Sequence, residues 1–234
     1  MKIAALTATL LLLFVNASAF AADHMGCLMK QMMITGASVS AGQDGYSFGD
    51  QLAVKYHSEK ELIRNTHPGK SGAEVISLPN FREQAKKASL VLALDFFYWD
   101  QFHCDETKLS LTIDTLFQDT AKRGIPLAVG NIVPTQEPFS RMKYDESCAK
   151  LINQKLKAAC DLHPKKCLLV DNEEVAKAIN RHFRSELQGL SATDRSKYIQ
   201  DHITRDGLHP RTDAYQVMTE YLDHLLQKSA LECR

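Results

Sequence analysis

Apolar residues in this chain come in two rhythms. Four short runs are nearly unbroken: Gln31 to Thr35, Ser89 to Leu94, Ile125 to Val129 and Cys167 to Val170. Runs of this length read as strands covered on both faces. Between them, apolar residues recur at three- and four-residue spacing, which predicts helices. Phe48 to Tyr56 is one, with Phe48, Leu52, Ala53 and Tyr56 on a shared face. Phe81 to Ala88, Leu109 to Arg123, Tyr144 to Leu162 and Glu173 to Phe183 are others, and Gly124 stands where a helix-ending glycine belongs. A last helix follows Pro210, with Thr212 as its expected N-cap, Asp213 in its first turn, and Val217, Met218, Tyr221, Leu222 and Leu225 on one side.

Strands that alternate with helices predict an α/β fold, a three-layer α/β/α sandwich around a central parallel sheet. No repeat or Pro-rich linker divides the sequence, so residues 22–234 are expected to form a single domain. In such sheets ligands bind beyond the C-terminal strand ends. That directs attention to Gly36–Gly42, Asp95–Asp100 and Gly130–Pro134.

The N-terminus follows different rules. Lys2 precedes a 13-residue uncharged, mostly apolar run from Ile3 to Val15, and small residues then give Ala-x-Ala patterns ending at Ala19 and Ala21. The run is too short to span ~30 Å of hydrocarbon comfortably. Residues 1–21 therefore read as a secretory signal peptide cleaved after Ala21, with an uncleaved anchor or a core helix as the alternative. No other long apolar run occurs, so no integral membrane segment is expected after cleavage. The protein is expected to be secreted or periplasmic, and a monomer.

Six cysteines follow the cleavage point. In an exported chain an even number suggests disulfides. Cys160 and Cys167 flank the turn Asp161-Leu162-His163-Pro164 and form the natural local bridge. Cys27 with Cys233 would tie the two ends, which leaves Cys104 with Cys148.

The 234 residues carry 28 Lys+Arg against 28 Asp+Glu, a net charge of zero, so nucleic acid is not indicated as a partner. With 44% hydrophobic and 24% charged residues, the composition is that of an ordinary globular protein. The spacing of Asp95, Asp100, His103 and Asp105 matches no metal motif, and the Gly36–Gly42 loop has neither Gly-x-Gly-x-x-Gly nor a Gly-Lys-Ser/Thr ending. No metal and no cofactor is expected.

Candidate chemistry sits at two distant points. Gly36-Ala37-Ser38 follows the first strand, where a serine at a tight turn can be exposed with its own N–H beside a helix start. Asp206-Gly207-Leu208-His209-Pro210 precedes the last helix, and an aspartate three residues before a histidine can accept the imidazole Nδ1–H. Each alone is also compatible with an ordinary turn.

Together they resemble the SGNH (GDSL-type) hydrolases. Gly36-Ala37-Ser38 with Ala41-Gly42 is similar to the family's first block, Lys70-Ser71-Gly72-Ala73 to its second, and Asp206 with His209 to its last. The resemblance implies Ser38 as nucleophile, His209 as base and Asp206 as its orienter, with the N–H groups of Ser38 and Gly72 lining an oxyanion hole. Two positions depart. Ala37 replaces the aspartate of Gly-Asp-Ser, and the Gly-x-Asn block is missing, since its asparagine would fall at Phe97 within Asp95-Phe96-Phe97-Tyr98-Trp99-Asp100. An ionised Asp95 facing the site would oppose a developing anion. Asn131, at the end of the next strand, is a candidate replacement donor. The aromatic run reads as core packing or as the lining of an acyl or sugar pocket beside Ser38.

The resemblance therefore implies an exported serine ester hydrolase working through an acyl-enzyme on a small-molecule, glycan or lipid ester. Its activity would fall at mildly acidic pH as the base is protonated. The alternative is a secreted binding protein on the same fold with little or no catalysis.

Overall fold

A computed structural model describes residues 23–42, 46–133, 145–206 and 209–233. The signal-peptide reading and the first residue of the helix expected from Tyr144 lie outside the described residues.

Five strands form one sheet: β1 (Met32–Gly36), β2 (Ile63–Thr66), β3 (Leu90–Ala93), β4 (Leu127–Gly130) and β5 (Cys167–Val170). Their order is β2-β1-β3-β4-β5, and every pair is parallel. After β1 the chain moves outward to β2, then returns across β1 to β3. The strand order thus reverses between β1 and β3, where an open α/β sheet has its binding crevice.

Side chains alternate between the two faces of the sheet, as the pleat requires. Met33, Val91, Leu127 and Val129 pack on one side with Phe81, Ile113, Leu116, Ile152 and Leu156 from α4 (Phe81–Ala85), α5 (Glu106–Asp119) and α6 (Glu146–Asp161). Met32, Ile34, Leu90, Leu92 and Ala128 pack on the other. They meet Phe48 and Leu52 of α2 (Phe48–Lys55), Val175 of α7 (Asn172–His182) and Leu222 and Leu226 of α10 (Thr212–Lys228). The result is the expected three-layer sandwich.

β5 appears with its expected bounds, and the other three expected strands with their ends shifted by a residue or two. β2 has no counterpart in the apolar pattern. Its Ile-Arg-Asn-Thr sequence has only one fully buried residue, Asn65. β2 stands at the sheet edge, where pairing along β1 from Met33↔Ile63 to Gly36↔Thr66 fixes a strand that burial alone would not. Gly124 adopts the left-handed conformation, φ 77°, closing the turn after α5 as its position predicts. Thr212 is the first helical residue of α10, and Arg211 holds the N-cap position without a side-chain cap. Short helices α8 (Arg184–Leu187) and α9 (Ala192–Tyr198) follow α7. Their apolar pattern is too sparse to have announced them.

All three expected disulfides are present. Cys27–Cys233, Cys104–Cys148 and Cys160–Cys167 have Cα–Cα separations of 6.1, 5.6 and 5.0 Å. Among the described residues no helix is long and apolar enough to cross a membrane. Lys165 pairs with Glu232 at 2.7 Å, and Lys166 Nζ donates to the carbonyls of Glu232 and Cys233 at 2.6 and 3.2 Å, anchoring the C-terminal segment.

Candidate active site

β1 ends at Gly36, where φ is +145° and a Cβ would run into Asp95 Oδ1 and the Ser40 hydroxyl. Only glycine fits there. The chain then turns into α1 (Ser38–Ala41). The carboxylate that crowds Gly36 comes from the end of β3, across the crevice. Asp95 Oδ1 accepts the Ala37 N–H at 3.1 Å, and Oδ2 accepts those of Val39 and Ser40 at 2.9 and 3.2 Å. The Ser40 hydroxyl donates to Oδ1 as well. Burial pushes the Asp95 carboxyl above the usual carboxylate range, and its four hydrogen bonds work in the opposite direction. Its oxygens are therefore spent on the turn's backbone and on Ser40. Ser38 is half-buried, and neither its N–H nor its hydroxyl has a hydrogen-bond partner among the described residues.

The second cluster is closed by local bonds. Thr204 and Pro210 form an antiparallel bridge, Arg205 N–H donates to the His209 carbonyl at 3.1 Å, and Arg211 N–H to the Ile203 carbonyl at 2.9 Å. Inside this turn Asp206 Oδ2 lies 2.7 Å from His209 Nδ1, and Asp206 Oδ1 accepts the His209 backbone N–H at 2.9 Å. That double contact fixes the imidazole orientation and, when Nδ1 carries the proton, leaves Nε2 as a base. Nε2 has no partner among the described residues. Asp201 and His202 are exposed; His202 Nδ1 contacts Asp213 Oδ2 at 2.9 Å, and its ring stacks on Tyr198 at 4.5 Å.

The two clusters are linked through α10. Tyr215, in its first turn and fully buried, donates its hydroxyl to the Val39 carbonyl at 3.0 Å. No hydrogen bond joins Ser38 to His209 among the described residues.

The other two expected oxyanion donors are engaged elsewhere. The Gly72 N–H, at the start of α3 (Gly72–Ile76), donates to Asp100 Oδ2 at 2.7 Å. A Cβ on Gly72 would lie 2.7 Å from the Phe96 ring, so the glycine serves close packing. Burial raises the Asp100 carboxyl to about 6 in spite of the hydrogen bond from Gly72. Asn131 Nδ2 donates to Asp171 Oδ1 at 3.1 Å, and its Oδ1 accepts the Asn172 N–H at 2.8 Å. Asn172 Nδ2 in turn donates to the carbonyls of Leu94 and Asn131 at 2.8 and 2.7 Å. Asn131 thus holds the turn after β5. Asp100 and Asp171 are the residues sequence reasoning missed in these roles. Asp171 carries a recognisable signal, an aspartate just before a helix.

The aromatic run divides between the core and a cavity that Ser38 does not line. Phe96 and Phe97 are buried in the core, edge to face at 5.0 Å. Trp99 instead lines a cavity of about 760 Å³ with Asp100, Phe102, His103 and Ser71. Among the described residues no group of three or more His, Cys, Asp or Glu is arranged to hold a metal ion.

This architecture is the fold of the SGNH (GDSL-type) hydrolases. Among solved structures, the chain is similar to the psychrotrophic esterase EstA of a Pseudoalteromonas species, with 14% identity, a TM-score of 0.57, and coverage of 85% of this chain and 97% of that one. It is similar to a GDSL-like lipase from Bacteroides thetaiotaomicron, with 15% identity, a TM-score of 0.56, and coverage of 92% and 98%. A family 3 carbohydrate esterase of Clostridium thermocellum gives 16% identity, a TM-score of 0.51, and coverage of 83% and 96%. At these identities the likeness is one of fold. No family model matches the sequence, and no curated protein matches it.

Proposed function

We propose that the chain is an exported serine ester hydrolase, a single-domain monomer that acts on carboxylic esters through Ser38, His209 and Asp206. The reading rests most on the Asp206–His209 pair, with its 2.7 Å side-chain contact and 2.9 Å backbone contact. The Tyr215–Val39 bond supports it by fastening the helix after His209 to the residue after Ser38. Esterases and a lipase among the similar folds support the reaction class. Three disulfides are consistent with an oxidising compartment.

In this mechanism His209 Nε2 takes the Ser38 hydroxyl proton as Oγ bonds to the ester carbonyl carbon. The oxyanion receives the Ser38 N–H. When the C–O bond breaks, His209 returns the proton to the departing alcohol and leaves acyl-Ser38. A water, losing its proton to His209, then attacks the acyl carbon. Collapse restores the Ser38 hydroxyl and releases the acid. Gly72 and Asn131 join the oxyanion hole in this reading only when Gly72 is released from Asp100 and Asn131 from Asp171.

Those two engagements favour a second reading, a binding protein on the same fold with little or no catalysis, since a missing oxyanion donor costs about 100- to 1,000-fold in rate. Hydrolysis of p-nitrophenyl acetate separates the two. The esterase reading expects turnover that falls on the order of 1,000-fold in Ser38→Ala. Equal rates for parent and variant contradict it.

A further inference from the structure

Asp95 stands where the resemblance leads one to expect trouble, a carboxylate beside a developing anion. Its bonding suggests another role. Residues 37–40 carry four consecutive backbone N–H groups just after β1. Asp95 accepts three of them, from Ala37, Val39 and Ser40, at 3.1, 2.9 and 3.2 Å. Its contact with the Ser40 hydroxyl adds a side-chain tie. The one N–H it passes over is that of Ser38.

We propose that Asp95 is the positioning residue of the nucleophile turn: by taking the N–H groups on both sides of Ser38 it holds the serine in place and leaves the Ser38 N–H as the turn's uncommitted donor. The proposal rests on the ester-hydrolase reading and deepens it by naming what stands in for the missing Gly-x-Asn block. That block would supply a donor to the oxyanion. Asp95 supplies acceptors to the turn, so that one of the turn's own donors is kept aimed and unshared.

The arrangement also answers the charge problem. Four donated hydrogen bonds surround the carboxylate with partial positive charge, which reduces the field it projects toward an oxyanion at Ser38. Gly36 is part of the device, because a side chain there would occupy the space that Asp95 Oδ1 and the Ser40 hydroxyl fill. The sequence separation of 55 to 58 residues explains why no local motif announces the contact.

An asparagine side chain has nearly the shape of the Asp95 carboxylate, with one acceptor replaced by a donor. Asp95→Asn is therefore expected to lower kcat by about 100-fold while KM for p-nitrophenyl acetate moves by less than roughly threefold. Ser40→Ala removes only the hydroxyl contact and is expected to lower kcat by about fivefold, which guards against an Asp95 variant that does not fold. Amide hydrogen exchange gives a readout independent of turnover. In the parent, the amides of Ala37, Val39 and Ser40 should be protected and that of Ser38 should exchange fast; in Asp95→Asn the contrast should vanish. A kcat within threefold of the parent in Asp95→Asn, or an unprotected Ala37, Val39 and Ser40 in an active parent, overturns the proposal. A parent with the protected pattern but no hydrolysis overturns the ester-hydrolase reading and, with it, the catalytic role assigned to Asp95.

Discussion

The Tyr215 hydroxyl donates to the Val39 carbonyl at 3.0 Å, across 176 residues of sequence. Burial and the nearby Asp95 charge keep that phenol protonated, and so able to donate, at any physiological pH. The bond ties the helix after the Asp206–His209 turn to the α1 turn containing Ser38. Tyr215→Phe should cost about 1 kcal/mol in denaturant unfolding. It should also lower kcat by about tenfold with little change in KM, because a small misplacement of base and nucleophile slows the chemistry more than it weakens binding. Steady-state kinetics beside a urea titration checks both.

Asp206 and His209 form a short-range pair whose side chains are partly exposed, 39% and 26%. Losing one exposed carboxylate should change stability by no more than ~1 kcal/mol. Its effect on turnover should be far larger. Asp206→Asn replaces an acceptor with a donor at Nδ1 and favours the wrong imidazole tautomer, so kcat should fall by 1,000-fold or more, to order of magnitude. A melt that hardly moves beside a collapsed rate is the expected result.

This pair was legible in the sequence because the contact spans three residues, and so was the turn that carries Ser38, because it directly follows a strand. The disulfides were legible for a different reason, the expectation of export and the spacing of six cysteines. The apolar strands β1, β3, β4 and β5 declared themselves through burial on both faces. β2 did not, since Arg64, Asn65 and Thr66 show no apolar pattern and only pairing with β1 makes them a strand. The contacts that shape the site were the least legible. Asp95 reaches residues more than 50 positions away, and Asp100 meets Gly72 across 28. A carboxylate's backbone partners depend on the tertiary fold, which residue spacing does not report.

Asp100 should leave a signature in the pH dependence of stability. Burial raises its carboxyl to about 6 from an ordinary 3.8, so between those values the folded protein binds a proton that the unfolded chain releases. Stability from this group therefore rises as pH falls from above 6 toward 4. Asp100→Asn removes that gain. The unfolding free energy of the parent minus that of the variant should grow between pH 7 and pH 4.5. Taking the difference cancels the contributions of other carboxylates, and denaturant titrations at several pH values measure it.

The disulfides should contribute unequally. Cys27–Cys233 spans 206 residues and Cys160–Cys167 only 7. In the chain-entropy account the longer closure restricts the unfolded state more, and removal typically costs about 2–4 kcal/mol. Replacing Cys27 and Cys233 by serine should lower the melting temperature more than replacing Cys160 and Cys167. Thiol titration of the unreduced protein should find no free sulfhydryl among the six cysteines.

The central claim is that the Ser38 hydroxyl is made nucleophilic by His209. Incubation with a fluorophosphonate, followed by intact-mass and peptide analysis, tests it most directly. A single adduct on Ser38 is expected, lost in Ser38→Ala and nearly lost in His209→Ala. An adduct on another residue, or none on a folded protein, would contradict it.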